Sequence, residues 1–165
     1  MPVFQSFSGV IASIDNFATG SGGSDGCYQL MSVADREGGV VNFVVAPSTY
    51  FVDQVTVAVG DAVTGFYDAN APTPLIYPPQ LRALVMAEET PGRNVKVDFF
   101  NSQLLSSDGS LRLNIAPWTR ILLENNQRFY GSPANRYLIV VYGPTTRSIP
   151  AQTTPEQVIV MCYIS

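Results

Sequence analysis

Val40-Val41-Asn42-Phe43-Val44-Val45-Ala46-Pro47-Ser48-Thr49 is an apolar, β-branched run that ends in a proline turn, and the chain writes it twice. Ala46-Pro47-Ser48-Thr49 returns as Ala116-Pro117-Trp118-Thr119, behind a second apolar run from Leu111 to Ile115, at an offset of 117 − 47 = 70. Downstream, Ala62-Val63-Thr64-Gly65-Phe66-Tyr67 lines up with Tyr137-Leu138-Ile139-Val140-Val141-Tyr142 at an offset of 142 − 67 = 75. Carried on without a gap, this offset pairs Leu84-Val85-Met86-Ala87 with Ile159-Val160-Met161-Cys162. The second half of the chain therefore reads as a copy of the first.

What separates the apolar runs is turn chemistry rather than helix signals. The chain has 13 Gly and 12 Pro, spread along its length, and short β-branched and aromatic runs between them are the pattern of an all-β protein. In the first unit the strands read as Phe7 to Ile14, Cys27 to Val33, Val40 to Val45, Ala62 to Tyr67 and Leu81 to Ala87. In the second they read as Val95 to Phe100, Gln103 to Leu105, Leu111 to Ile115, Tyr137 to Tyr142 and Gln157 to Tyr163. Five short strands per unit is the count of an OB-type Greek-key barrel. Neither third-to-fourth connection, Val52 to Gly60 or Glu124 to Asn135, carries an apolar period long enough for the usual OB helix. The expected fold is two tandem, helix-poor, OB-like five-stranded Greek-key barrels packed together, over residues 1–87 and 88–165. A single merged β-sandwich or jelly roll fits the same strand list.

Composition bounds the function. The 165 residues are 46% hydrophobic and only 13% charged, against about a quarter charged in an average domain, so much of the surface is suited to meeting protein. Lys96 is the single lysine, and the net charge is −4, which argues against phosphate-backbone binding. The charge is uneven: residues 1–87 hold seven acids and two bases, residues 88–165 six acids and seven bases. The absence of His removes the commonest general base and metal ligand. No spacing matches an EF-hand or zinc site. No signal-peptide pattern opens the chain, and no run reaches the length of a membrane helix. The expected inventory is no catalytic residue, no cofactor and no metal, with membrane and nucleic acid not expected as partners.

Several motifs invite chemistry and are better read as structure. Gly20-Ser21-Gly22-Gly23-Ser24-Asp25-Gly26 lacks the last glycine of a dinucleotide turn and the Gly-Lys-Ser/Thr of a P-loop. It falls where an OB barrel has its first loop; in the second unit that place shrinks to Asn101-Ser102. Asp61, Asp68, Asp98 and Asp108 fall at turns or strand ends, where Asp is structural. Trp118 with Arg120, Phe129 and Tyr130 with Arg128, and Tyr137 with Arg136 have the composition of base-stacking pairs, and core packing or edge pairing explains them as well. Cys27 and Cys162 are either buried reduced thiols or a covalent lock between subunits.

The two proline-rich connections from fourth to fifth strand are the segments most suited to contact. Pro72, Pro74, Leu75, Ile76, Tyr77 and Pro78 in the first unit, with Ile149 and Pro150 in the second, make extended segments with few backbone donors and unmasked apolar side chains. Each is either a lid on its own barrel or an arm for a neighbouring subunit.

Val63 through Gln80 and Val141 through Pro155, the stretches built around these connections, resemble an uncharacterised family of small β proteins of spore-forming anaerobic Gram-positive bacteria. The resemblance spans about residues 7–162. It implies no activity and transfers no catalytic residue. Related sequences sometimes sit beside cell-surface modules, which implies a surface or extracytoplasmic role. Residues and resemblance together lead to an expected function: a non-enzymatic structural protein that polymerises with itself head to tail as a surface or spore appendage, released by mother-cell lysis. The alternative is a monomeric tandem OB module binding a peptide, glycan or oligonucleotide.

Overall fold

Alternation drives the strands. Met31 and Val33, then Val41, Phe43 and Val45, are buried at every second position along two neighbouring strands, the spacing that puts alternate side chains on one face of a pleated sheet. The computed structural model describes residues 1–18 and 26–163 and divides them into two units, Met1–Glu89 and Thr90–Ser165.

In the first unit, β1 (Phe4–Asn16), β2 (Gln29–Ala34), β3 (Val40–Phe51), β4 (Ala62–Asp68) and β5 (Gln80–Glu88) close into a barrel in the order β1-β2-β3-β5-β4. β3 and β5 run parallel and the other neighbours antiparallel. This is the closed, helix-poor barrel expected, and because it closes on itself the merged sandwich is not the fold. Ile11, Met31, Val33, Val41, Phe43, Val45, Val63, Ala83 and Met86 fill its interior. Closure requires β1 to pair with β4 over Phe4 to Val10 and with β2 from Val10 to Asn16. Gly9 sits beside that switch, where a Cβ would lie 2.4 Å from the Ala34 carbonyl oxygen.

The second unit keeps the plan but breaks its strands. β6 (Asn94–Phe100), β9 (Arg136–Tyr142), β11 (Gln157–Val160) and β8 (Arg120–Leu123) form a four-stranded sheet in the order β6-β9-β11-β8, and β7 (Leu111–Leu113) pairs with β10 (Ala151–Thr153). The parallel pairing of β3 with β5 recurs here in two pieces, β7 with β10 and β8 with β11. The expected strand from Gln103 to Leu105 is reduced to bridges, Phe100 with Ser106 and Leu105 with Arg112. The cyclic order of the first barrel is kept, with a rudimentary second strand. Phe100, Leu111, Leu113, Leu138, Val140, Val158 and Val160 form its core.

The break has a local cause that both units share. Thr49 Oγ1 accepts the Ala46 N–H at 3.0 Å and donates to the Ala83 carbonyl at 2.7 Å. Thr119 Oγ1 accepts the Ala116 N–H at 3.1 Å and donates to the Pro155 carbonyl at 2.9 Å. The Ala-Pro-x-Thr turn thus bulges out of the strand while its threonine ties the bulge to the parallel neighbour. In the first unit the bulge is a register shift inside β3, between Val45 and Tyr50; in the second it separates β7 from β8.

These bonds correct the repeat. Ala83 and Pro155 are equivalent, an offset of 155 − 83 = 72. The fourth strands do align at 75, since Val63 to Phe66 opposite β5 match Leu138 to Val141 opposite β11. The connection between them is therefore three residues shorter in the second unit, because 75 − 72 = 3. Ala87 corresponds to Ile159, not to Cys162.

Candidate functional site: an exposed arm and an aromatic groove

The connection from β4 to β5 is fixed at both ends and bare in the middle. Asp68 Oδ1 accepts the backbone N–H of Val3 at 3.0 Å and of Asn70 at 2.9 Å, which starts the turn. At the far end the Pro79 carbonyl accepts the Asn42 N–H at 2.9 Å. Pro72, Thr73 and Pro74 border a groove of about 430 Å³ over Val44, Tyr67 and Leu81 of the same barrel. Beyond them the segment leaves the surface: Leu75 is fully exposed, Ile76 half exposed and Tyr77 78% exposed. The base of the segment thus borders a groove on its own barrel, and its apolar tip stands in solvent.

The matching connection of the second unit is built differently. The Thr146 N–H donates to the Gln152 carbonyl, and Thr146 Oγ1 accepts the Gln152 N–H, each at 2.9 Å. Ser148 Oγ donates to the Pro150 carbonyl at 2.8 Å, and Thr153 Oγ1 donates to the Pro144 carbonyl at 3.0 Å. This is a braced loop whose exposed large apolar side chain is Ile149, at 99% exposure. In each unit an exposed residue precedes a cis proline, Tyr77-Pro78 and Ile149-Pro150.

A second groove, of about 420 Å³, lies on the second unit around the Ala-Pro-x-Thr turn and is lined by Pro117, Trp118, Arg120, Ile121, Arg128 and Phe129, among others. Trp118 is 63% exposed. The structure therefore brings together two of the sequence's aromatic–arginine pairs, Trp118 with Arg120 and Phe129 with Arg128. Arg136 lies over the Phe129 ring at 4.9 Å, a cation–π contact. Tyr137, expected to pair with Arg136, is buried and packs edge-on against Phe99, with ring centroids 5.4 Å apart. Tyr130 is exposed and not among the groove's lining residues.

The carboxylates are turn residues. Asp61 accepts the Ala58 N–H. Asp98 accepts the Phe99 N–H and the Ser107 hydroxyl. Asp108 accepts from Lys96 at 2.7 Å and from the Ser106 and Ser110 hydroxyls at 2.6 and 2.7 Å. Burial pushes the Asp108 carboxyl up, but the bonds from Lys96, Ser106 and Ser110 outweigh it and hold it well below the usual carboxylate range. Among the described residues no group of three His, Cys, Asp or Glu is placed to hold a metal, and no helix is long and apolar enough to cross a membrane. Cys27 and Cys162 are both exposed free thiols. The Gly-rich stretch, Gly20 to Asp25, lies outside the described residues.

Sheet edges are covered in the first unit and along β8. The first barrel has none, and in the second the outer side of β8 is taken by the Gln127 carbonyl and the Phe129 N–H, bonded to Leu123 and Ile121. The arm tip and the Trp118 groove are two of the exposed apolar surfaces among the described residues. The sequence showed the arm's composition but not its asymmetry, which follows from the three-residue difference between the loops. Comparison of the chain with protein-family models, curated proteins and solved structures gives no match.

Proposed function

We propose that this chain is a non-enzymatic structural subunit that assembles with copies of itself through head-to-tail contacts, in the manner of a surface or spore appendage. The observation that carries this reading is the arm tip, where Leu75, Ile76 and Tyr77 stand in solvent on a proline-stiffened segment. Covering three such side chains is worth on the order of 5 kcal/mol, and a segment restricted by proline loses less entropy on docking. The division of charge supports the same reading. With the unit boundary after Glu89, the first unit carries nine acids and two bases, −7, and the second four acids and seven bases, +3. Units of opposite charge on successive copies attract, and a directional contact yields a ring if it closes and a filament if it does not.

The exposed thiols add a covalent element. In a preparation treated with a thiol oxidant such as diamide, non-reducing electrophoresis is expected to give a ladder of multimers that collapses on reduction, and that is lost when Cys27 and Cys162 are both replaced by Ser. A single monomer band under oxidant removes the cross-link from the proposal.

A second reading, a binding module, draws on the open Trp118 groove. Sedimentation velocity over a concentration series, with negative-stain microscopy, separates the two. Assembly gives species that grow with concentration, whereas a module stays monomeric.

A further inference from the structure

The arm and the groove differ in a way that makes them a pair. The arm belongs to the first unit alone, because the second unit's loop is three residues shorter and braced by its own hydrogen bonds. The groove centred on Trp118 belongs to the second unit. At the place of Trp118 the first unit has Ser48, whose hydroxyl accepts from Arg82 at 3.1 Å, and at the place of Arg120 it has Tyr50. Each copy thus carries one of each.

We infer that the Leu75–Tyr77 tip of one copy, with its flanking prolines, docks in the Trp118 groove of the next. The inference rests on the assembly reading and names the partner surfaces within it. Three observations carry it. The arm has lost the N–H groups of four prolines between Pro72 and Pro79, so it is poorly suited to joining a sheet and is recognised instead through its side chains. Proline-rich extended segments dock in grooves lined by aromatic rings, where the flat face of a tryptophan packs against pyrrolidine. The groove supplies Trp118, Phe129 and Pro117 for those contacts, and the Arg120 and Arg128 guanidinium groups to stack on the Tyr77 ring. The charges are complementary as well. Residues 69–79 hold no charged side chain, so nothing on the arm repels the groove's arginines, and the −7 unit bearing the arm approaches the +3 unit bearing the groove. The contact joins unlike surfaces, so the chain it generates has a direction.

The protein carries its own reporter, since Trp118 is its only tryptophan. The experiment uses wild type, Tyr77→Ser and Trp118→Ala, both substitutions at exposed positions, with folding of each checked by circular dichroism. Wild type is expected to shift Trp118 emission to shorter wavelength as concentration rises and assemblies form. Each variant alone is expected to need roughly tenfold or more higher concentration to assemble, as for loss of an aromatic anchor at an interface. In an equimolar mixture the Trp118→Ala copy lends an intact arm to the Tyr77→Ser copy's intact groove. The mixture should stop at heterodimers and shift the emission of the single remaining tryptophan.

Failure separates by cause. A wild type that stays monomeric overturns the assembly reading and this inference with it. A wild type that assembles while Tyr77→Ser assembles equally well overturns the inference alone, whatever Trp118→Ala does, since the arm is then not the occupant. A mixture that polymerises like wild type also overturns it. Emission that shifts with a single-stranded oligonucleotide and not with a second copy assigns the groove to nucleic acid and overturns it too.

Discussion

Thr119 shows how one side chain sets the course of a strand. It is buried and makes two backbone hydrogen bonds that no valine can make. Thr119→Val therefore leaves an N–H and a carbonyl without their partner, at a cost of roughly 1–3 kcal/mol. Thermal unfolding should show the transition of the second unit falling by about 4–8 °C per kcal/mol, with Thr119→Ser recovering much of the loss. Asp108 gives the residue scale its pH dependence. Its carboxyl is held below the ordinary range in the folded chain, so the stabilisation is complete above the unfolded value near pH 4 and is lost as pH falls below it. Melting temperatures between pH 7 and pH 2 should show Asp108→Asn less stable than wild type at pH 7, with the gap closing below about pH 4. The gap persisting unchanged to pH 2 would contradict the charge-based account. A third residue-scale feature is an exchange of volume. Gly65 lies under the Phe43 ring, where a Cβ would come within 2.5 Å, while the equivalent pair in the second unit is Val140 and Leu113, both in the core. The two cores divide the space differently, Phe with Gly in the first and Leu with Val in the second.

At the scale of elements, most strands were legible where apolar residues alternate or run together, but β8, with its apolar run Ile121-Leu122-Leu123, was not read as a strand. β2, β4, β5, β6 and β9 fall within two or three residues of their sequence reading, and the barrel topology of the first unit follows from their order. What was not legible depends on contacts between distant strands. β10 is a short segment, Ala151-Gln152-Thr153, with no apolar pattern, and becomes a strand because β7 lies parallel to it. The strand expected from Gln103 to Leu105 survives only as bridges, since Asn101 Oδ1 accepts the Gln103 and Leu105 N–H groups and turns the backbone there. The ungapped repeat failed for a related reason. By sequence β5 matches better at 75, where Leu84 and Val85 meet Ile159 and Val160, than at 72, where they meet Glu156 and Gln157, and it is the threonine-to-carbonyl bonds and the strand registers that set the offset at 72. The arm makes a prediction that belongs to this scale. Deleting Pro74, Leu75 and Ile76 gives the first unit a connection as short as that of the second and removes the exposed tip. As an exposed segment, its loss should change stability by no more than about 0.5 kcal/mol, while assembly is lost; light scattering and thermal unfolding on the same sample check both.

For the whole molecule, the duplication is most informative where it is imperfect. Two copies of one barrel plan have diverged into a closed, acidic unit with a proline-stiffened arm and a more broken, basic unit with an aromatic groove. Two equal binding sites would keep the same side chains at matching positions. Here Ser48 stands opposite Trp118, Tyr50 opposite Arg120, and a bare arm opposite a braced loop. The candidate surface was legible as composition, in its prolines and unmasked apolar residues. Its pairing was not, because Trp118, Arg120, Arg128 and Phe129 converge only through the bulge after β7 and the return of the chain beside β8. The central claim is that unlike surfaces of this chain join copy to copy. Sedimentation velocity of the wild-type protein over a wide concentration range tests it most directly: the account predicts species that grow in mass as concentration rises, and a single monomeric species at every concentration would contradict it.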